Sequence, residues 1–210
     1  SYIKKFSDKK IILNYIKRKN KYLSDNWKVN ILKEEIKSKI TLDSKINNAS
    51  INSKEIKKNN IFFAIKGKKE DGNSYVNEAL KKGASVAIVN KIKNSNKKNK
   101  QVKVLNTLEF LTQCSKIVRE NFNGKIIAIT GSCGKTSLKE LLGNTINKYS
   151  TATLSPKSFN NKYGVPLSLF NLNLNHKNGV FEIGMDKKGE INFLSKIINP
   201  DIGVITNISY

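Results

Sequence analysis

The sequence predicts an α/β protein with a small N-terminal α/β domain and a second domain built on a parallel sheet. Three observations support this prediction. Short apolar runs alternate with segments of helical spacing, as in βαβ units. A glycine loop that contains Lys135 and Thr136 directly follows one of the apolar runs. The chain changes character at Asn123-Gly124, so we expect domains at 25–122 and 123–210.

The individual elements follow from apolar spacing and from glycine punctuation. In the first half, a helix over 75–82 ends at Gly83, and a longer helix covers 107–122. The predicted strands are 61–65, 84–89, 102–105, 126–129, 151–154, 180–183 and 202–206. The second half adds helices at 138–146, 165–172 and 191–198. Strands that alternate with helices in this way favour right-handed crossovers and a parallel sheet.

Composition narrows the class of function. The 210 residues carry 39 Lys and Arg against 16 Asp and Glu, a formal net charge of +23. Such a charge suits a nucleic-acid surface, but only Arg18 and Arg119 are arginines and the lysines are scattered. We therefore favour compositional drift over a specific nucleic-acid partner. A positive surface also suits phosphorylated small molecules.

The cysteines and the apolar runs bear on the compartment. Cys114 and Cys133 are the only cysteines, too few for a disulfide framework, and His176 is the only histidine. No apolar run approaches the ~18 residues of a membrane span. These features predict a cytoplasmic protein without a membrane segment.

The strongest motif is Thr130-Gly131-Ser132-Cys133-Gly134-Lys135-Thr136-Ser137, between a predicted strand and a predicted helix. Two glycines let the backbone curl, and a helix N-terminus offers unpaired N–H groups and partial positive charge to an anion. Lys135 can reach the β- and γ-phosphates, and the Thr136 hydroxyl can ligate Mg²⁺. The sequence therefore predicts an ATP site with Gly131, Ser132, Cys133, Gly134, Lys135, Thr136 and Ser137 as its contacts.

A second acidic element should help to hold the metal. Glu182 ends a predicted strand, and ligands gather at the carboxyl ends of strands in open α/β sheets. We predict that Glu182 and Thr136 bind Mg²⁺, directly or through water, and that Glu182 and Lys135 are the catalytic residues. The alternative is a surface glutamate at a strand end.

Four stretches in the second half resemble the Mur ligase family. The glycine loop is similar to the family's T-G-x-x-G-K-T-[TS]. Residues 155–167 resemble T-P-x-x-x-N-N-x-x-G-x-P-L, residues 182–191 resemble E-[LMI]-G-[AM]-[ND]-x-x-G-E-I, and residues 200–208 resemble P-x-x-[AG]-[VL]-[IV]-T-N-[IV]. Their order and spacing fit the branch of the family that adds D-alanyl-D-alanine. By motif position, the resemblance implies that Asn160 and Asn161 contact ATP or substrate.

The first half agrees with this resemblance. Residues 50–54 and 61–67 look like the family's S-x-D-S-R and L-F-x-A-[LI]-x-G patterns, in a domain that grips the uridine diphosphate of the substrate. Ser53 and Lys54 are the implied contacts of that uridine diphosphate. Asn52 and Lys54 replace the usual Asp and Arg, and Lys lacks the planar bidentate fork of Arg.

The resemblance implies an ATP-dependent amide ligase of peptidoglycan precursor synthesis. Its small-molecule partners would be UDP-N-acetylmuramoyl-tripeptide and D-alanyl-D-alanine, and its cofactors ATP and Mg²⁺. The tripeptide carboxylate takes the γ-phosphoryl group of ATP, and the amine of D-alanyl-D-alanine then attacks the acyl phosphate. We expect a monomer.

Family members also carry a histidine motif, a carbamylated lysine and an amino-acid-binding C-terminal domain after the last of these stretches. We therefore expect a fragment that is not a competent ligase by itself. Residues 1–24 form a basic segment that is either the tail of a preceding MurE-like ligase or a species-specific extension.

Three points stay open from the sequence. Cys133, at a helix N-terminus, is either a reactive thiol or an inert small residue. Another P-loop ligase of the folate type and a basic nucleic-acid-binding protein are the rival functions. A third alternative to an active ligase is that the chain is a non-catalytic remnant.

Overall fold

The computed structural model describes residues 47–94 and 97–209. The basic segment at 1–24 and the helical pattern near residues 31–36 lie outside these residues. The described chain forms two compact units. The first comprises residues 47–64 and 71–103, apart from 95 and 96, and the second comprises residues 65–70 and 104–209.

The first unit is a four-stranded parallel sheet with one α-helix. Its strands are β1 (Ala49–Ser50), β2 (Ile61–Phe63), β3 (Val86–Val89) and β4 (Gln101–Lys103), and its helix is α1 (Val76–Lys81). Short 3-10 turns cover Ser53–Glu55, Gly72–Tyr75 and Lys98–Lys100. The strands lie side by side in chain order, β1-β2-β3-β4, and every pair is parallel.

The core of the first unit lies between this sheet and α1. Strands β2 and β3 are buried along their whole length, as expected of central strands in a parallel sheet. Phe62, Ala87 and Val89 pack with Val76 and Leu80 of the helix. The continuous apolar runs of the sequence reflect this burial on both faces.

The second unit is also a parallel sheet, with helices that alternate with its strands. Its strands are β5 (Lys125–Thr130), β6 (Ala152–Leu154), β7 (Asn178–Glu182) and β8 (Ile202–Ile205). Its helices are α2 (Thr107–Asn121), α3 (Lys135–Tyr149), α4 (Gly164–Phe170) and α5 (Glu190–Ile198). The strand order is β6-β7-β5-β8, so β5 lies between β7 and β8.

Two groups of contacts hold the second unit together. Leu138, Leu142 and Ile146 of α3 pack against buried side chains of β5 and β7. At the other end of the sheet, Arg119 of α2 donates from Nε to the carbonyl of Ile198, 3.0 Å away. This bond ties the end of α2 to the end of α5.

The structure confirms the predicted fold class, a mixed α/β protein with parallel sheets. Every predicted strand and helix within the described residues is present, with ends shifted by a few residues. Helix α3 is longer than predicted, because it begins at Lys135 inside the glycine loop and continues to Tyr149. Strand β1 was not predicted, since two residues are too few to show a period.

The expected domain boundary near residue 123 stays a prediction. In the structure, α2 (Thr107–Asn121) packs against α4 and α5, and it belongs by its contacts to the second compact unit. Across the part of the chain that is described, no helix is both long enough and apolar enough to cross a bilayer.

Candidate nucleotide-binding site

The glycine loop lies at the carboxyl end of β5 and leads directly into α3. Gly131 has a φ of 139° and Gly134 a φ of 78°, both in the region that favours glycine. A Cβ at Gly131 would lie 2.0 Å from the Oγ1 of Thr206 and 3.0 Å from the carbonyl oxygen of Asn207. Gly131 is therefore required by both conformation and space, whereas a Cβ at Gly134 meets no atom within 4 Å.

The first turn of α3 offers the anion-binding groups. The first intrahelical bond runs from the N–H of Leu138 to the carbonyl of Gly134. The N–H groups of Lys135, Thr136 and Ser137 therefore have no acceptor within the helix. They lie at the helix N-terminus, where the helix dipole favours a negative charge. The Nζ of Lys135 donates to the carbonyl of Gly131 at 2.6 Å, which folds this ammonium over the loop.

Glu182 lies beside the loop because β7 pairs with β5 in a register that sets Glu182 opposite Ile129. Its carboxylate is 1% exposed and accepts two side-chain hydrogen bonds. Thr136 Oγ1 donates to Oε2 at 2.7 Å, and Asn160 Nδ2 donates to Oε1 at 2.8 Å. The structure thus brings together three of the residues that the sequence singled out, and they come from a helix, a loop and a strand.

The end of β8 braces the loop from its other side. Thr206 Oγ1 donates to the carbonyl of Cys133 at 2.6 Å. Asn207 accepts from both Ser132 and Cys133, at its carbonyl oxygen and its Oδ1 respectively, each at 3.0 Å. These two N–H groups are therefore engaged within the protein. The N–H groups of the first turn of α3 have no intrahelical acceptor, so they can donate to a phosphate group.

The other predicted contacts have the following places. Asn161 Oδ1 accepts from the N–H groups of Tyr163 and Gly164, so it caps the start of α4. Ser132 Oγ accepts from the N–H of Ser209 at 2.9 Å. Cys133 is exposed, and its Sγ accepts from Asn207 Nδ2 at 3.0 Å. Whether this thiol is reactive stays a prediction.

The donor set fits a magnesium ion. Hydroxyl and carboxylate oxygens are the ligands that Mg²⁺ prefers, and it commonly takes only one or two protein ligands beside phosphate and water. Thr136 Oγ1 and Glu182 Oε2 converge within 2.7 Å of each other next to the loop. Among the residues the structure describes, no group of three His, Cys, Asp or Glu forms an alternative metal site.

The predicted uridine-diphosphate residues lie in the first unit, just after β1. Asn52 Oδ1 accepts from the N–H of Lys54 at 3.0 Å, so the residue that replaces the usual Asp still caps the 3-10 turn. Ser53 is buried, and its hydroxyl donates to Glu78 Oε2 at 2.9 Å. Lys54 is exposed. Donated hydrogen bonds from Lys82 and, to a lesser degree, from Ser53 hold the pKa of Glu78 below its usual value.

Sequence reasoning missed four residues around the nucleotide site: Lys139, Ser155, Thr206 and Asn207. The last two stand in a stretch that the sequence predicts to be a strand and that resembles a family pattern, but no role in the site was predicted for them. Their position after β8 was the available signal, because the carboxyl ends of neighbouring parallel strands meet at one edge. Lys139 gave a weaker signal: it lies one turn after Lys135 on the face that Gly143 continues.

Comparison with known proteins now identifies this architecture. Residues 45–119 match the catalytic domain of the Mur ligase family, and residues 129–210 match the Mur ligase middle domain. The chain belongs to the Mur ligase family. The first match covers the first compact unit and extends into α2 of the second unit, and the second match includes the whole glycine loop, Glu182 and Asn207.

Two curated relatives of this chain carry the same name. The UDP-N-acetylmuramoyl-tripeptide–D-alanyl-D-alanine ligase of Rickettsia prowazekii is 37% identical over 183 residues, which cover 87% of this chain and 40% of that protein. The ligase of the same name from Buchnera aphidicola (subspecies Acyrthosiphon pisum) is 39% identical over 166 residues, 79% of this chain and 36% of that protein. The chain thus spans about two fifths of the length of the curated relatives it matches.

Solved structures agree. A crystal structure of MurF from Acinetobacter baumannii superposes with a TM-score of 0.73 at 31% identity, over 85% of this chain and 40% of that one. The MurF ligase of Thermotoga maritima in complex with ADP superposes with a TM-score of 0.64 at 33% identity, over 77% and 37%. The second structure shows that a MurF ligase of this fold binds an adenine nucleotide.

Proposed function

We propose that this chain is the nucleotide-sugar-binding and ATP-binding part of a MurF-type ligase, which joins D-alanyl-D-alanine to UDP-N-acetylmuramoyl-tripeptide at the expense of ATP. The observation that carries the proposal is the Thr136–Glu182–Asn160 cluster at the mouth of the glycine loop. The names of the relatives support the identity of the substrates. We also propose that the protein is cytoplasmic, in line with its two free cysteines, and that it is a monomer.

Different residues of this chain are proposed to bind the triphosphate and the metal ion. The N–H groups at the start of α3 and the ammonium of Lys135 bind and orient the triphosphate, and they offset charge on the transferring phosphoryl group. For this, Lys135 Nζ leaves the carbonyl of Gly131, 2.6 Å away, and turns to the phosphate oxygens. Thr136 and Glu182 would hold Mg²⁺, which would supply positive charge to stabilise the transferring phosphoryl group.

In the proposed reaction the tripeptide carboxylate attacks the γ-phosphorus, and ADP leaves. The amine of D-alanyl-D-alanine then attacks the acyl carbon, and phosphate leaves as the amide bond forms. Asn160 is held against Glu182 by its Nδ2 and so lies beside the triphosphate region. In the other unit, Ser53 and Lys54 are the proposed contacts of the uridine diphosphate.

The test uses the protein made from the complete reading frame that contains this chain. With ATP and Mg²⁺ we expect phosphate release that requires both UDP-N-acetylmuramoyl-tripeptide and D-alanyl-D-alanine, together with a product heavier by the dipeptide in mass spectrometry. Lys135→Ala should lower kcat by about 100- to 1,000-fold, the usual cost of one pre-organised donor to developing charge. Phosphate release that ignores either substrate, or full turnover by Lys135→Ala, would refute the proposal.

A further inference from the structure

Helix α3 contains a lysine that the proposed chemistry does not use. Lys139 is completely buried. Its Nζ donates to the carbonyl of Ser155 at 2.8 Å and to the carbonyl of Lys157 at 2.6 Å. The carboxylate of Glu140, which is half exposed, lies 3.0 Å from the same nitrogen. An ammonium has three donors, so all three have acceptors here.

A buried ammonium fixes the groups that it contacts. Removing such a charge from water is costly, and the cost is offset only while its hydrogen bonds are made with good geometry. Lys139 therefore holds two carbonyls of one short loop in fixed positions. One of them belongs to Lys157, whose φ of 50° is uncommon for a residue with a side chain. The bond to Lys139 gives a physical reason for that conformation.

The loop that Lys139 holds leads directly to the nucleotide site. The carbonyl oxygen of Ser155 accepts from Lys139. The hydroxyl oxygen of Ser155 separately accepts from the N–H of Glu182 at 3.2 Å. Five residues later, Asn160 donates to the Glu182 carboxylate, and its own carbonyl accepts from the N–H of Gly184 at 2.6 Å. Both ends of the segment 155–160 thus contact Glu182, and its Asn160 end also contacts Gly184, two residues further along the chain.

Two side chains of α3, one turn apart, therefore act on the same carboxylate. Thr136 contacts Glu182 directly, and Lys139 contacts the loop that carries Asn160. We propose that Lys139 is a positioning residue, which sets the orientation of the Glu182 carboxylate toward a nucleotide-bound divalent cation by anchoring residues 155–160. The inference rests on the proposed ATP and magnesium site. Lys139 itself touches neither ligand.

The test measures the affinity of the 210-residue chain for a fluorescent ATP analogue with and without Mg²⁺. Lys139→Met keeps the length and removes the charge. We expect it to reduce the gain in affinity that Mg²⁺ gives by about 10- to 100-fold, the usual effect of losing a group that orients a metal ligand. Affinity without Mg²⁺ should stay the same, because the N–H groups at the start of α3 and Lys135 remain in place.

Lys148→Met is the matched control. Lys148 stands on the same helix but is exposed, so the Mg²⁺ effect should be unchanged. A Lys139→Met variant with the wild-type Mg²⁺ effect would overturn the inference and leave the proposed function intact. An equal loss of affinity with and without Mg²⁺ would also overturn it, since that result indicates general damage to the unit. If the wild-type chain bound no nucleotide at all, the proposed ATP site would fail instead.

Two further measurements keep the inference testable if Lys139→Met folds poorly or if the wild-type chain fails to bind nucleotide. Asn160→Ala removes the end of the relay and should reduce the Mg²⁺ effect to a similar degree. Amide hydrogen exchange needs no nucleotide: in Lys139→Met the N–H groups of Glu182 and Gly184 should exchange at least about 10-fold faster, while that of Ile129 in β5 is unchanged. Wild-type exchange at Glu182 and Gly184, or a wild-type Mg²⁺ effect in Asn160→Ala, would refute the anchoring.

Discussion

The two units are both four-stranded parallel sheets, yet they order their strands differently. In the first, β1 to β4 lie in chain order, so every connection steps in the same direction across the sheet. In the second, the order is β6-β7-β5-β8. The chain leaves β5 toward one edge, returns through β7, and then places β8 on the opposite side of β5.

This difference in strand order determines which sheet has a point of reversal, where ligands bind in open α/β sheets. Where the order of a parallel sheet reverses, the loops after neighbouring strands separate and leave a crevice at their carboxyl ends. In the second unit the corresponding edge of the sheet carries the glycine loop after β5, Glu182 as the last residue of β7, and Thr206 with Asn207 after β8. The first sheet has no reversal, and its predicted ligand residues follow β1 at the edge.

The largest effect on nucleotide affinity is expected at Gly131, where the glycine loop packs closely against the end of β8. Gly131→Ala would place a Cβ 2.0 Å from Thr206 Oγ1, on a backbone with a φ of 139°. We expect nucleotide affinity to fall by at least about 100-fold, because the N–H groups of the loop and of the α3 first turn lose their geometry. The clash and the strained backbone should also destabilise the unit by about 2–4 kcal/mol. Isothermal titration with ATP and thermal unfolding measure the two effects.

Gly134→Ala is the control for this prediction. It has a positive φ of 78° but no atom within 4 Å of a new Cβ. Only the conformational cost of about 1–2 kcal/mol applies, so ATP binding should fall much less. Equal effects at the two glycines would show that the contact between the loop and the end of β8 is unimportant.

The second prediction concerns the carboxylate that β7 contributes. Glu182→Gln keeps the size of the side chain and one acceptor oxygen, which can still accept from Asn160 Nδ2. The Thr136 hydroxyl, which donates to Oε2 in the wild type, can instead accept from the new amide nitrogen. The substitution removes the negative charge, so the gain in ATP affinity from Mg²⁺ should fall by about 10- to 100-fold. Affinity without Mg²⁺ should stay equal or rise, because a negative charge near the triphosphate has been lost. Retention of the full Mg²⁺ effect in Glu182→Gln would contradict the assignment of this residue to the metal.

The two units also differ in how far the sequence predicted them. Apart from the two-residue strand β1, the strands of both sheets were predictable, because buried parallel strands are continuous apolar runs ended by glycine or polar residues. Predicting the crevice required strand order, which is a property of long-range pairing and leaves no local periodicity. The loop and Glu182 were predicted from motif and position alone. The contact of Glu182 with Asn160 depends on the register of β5 with β7, which sets Glu182 opposite Ile129.

The residues that the sequence did not predict are those that contact a predicted residue or its loop from a distant part of the chain. Asn207 stands after an exposed edge strand and contacts the loop through its carbonyl and its side chain. Lysine is seldom fully buried, so composition predicts an exposed side chain for Lys139. Its burial follows from two carbonyls of the loop after β6, which no sequence pattern places near α3. In the first unit, Glu78 was missed for the same reason, since its bond to Ser53 spans 25 residues.

The third prediction tests the edge site of the first unit, where a smaller effect is expected. Lys54→Met in the full chain should lower the affinity for UDP by about 3- to 10-fold, because a single exposed ammonium contributes a modest and solvent-screened attraction to a diphosphate. Raising the salt concentration should shrink the difference from wild type. Lys57→Met, a nearby exposed lysine, is the control and should bind UDP normally. Fluorescence competition with a labelled uridine nucleotide would measure this, and equal affinities of the two variants would argue against a phosphate contact at Lys54.

The smallest effects on stability are expected at two carboxylates with lowered pKa values, Glu78 in the first unit and Asp201 in the second. The N–H of Ile126 donates to Asp201 at 2.8 Å, and this bond, more than Lys125 and Arg119, holds the Asp201 pKa below its usual 3.8. A carboxyl group whose pKa is lowered by folding stabilises the protein above its unfolded pKa, and the contribution is lost as the pH falls through the folded value. Asp201→Asn should therefore cost about 1 kcal/mol at pH 7, a decrease of about 2–4 °C in Tm.

The pH dependence separates the two cases. The deficit of Asp201→Asn relative to wild type should shrink as the pH falls from about 5 to about 2, because the wild-type carboxylate becomes protonated in that window. Glu78 owes its lowered pKa mainly to Lys82, in a pair whose side chains are 40% and 38% exposed. Solvent screens such pairs, so Glu78→Gln should lower Tm less than Asp201→Asn does at every pH. A constant deficit for Asp201→Asn would show that its packing, and not its charge, ties β8 to β5. A clear loss in Glu78→Gln would mean that the first unit depends on its surface carboxylate as the second does on Asp201.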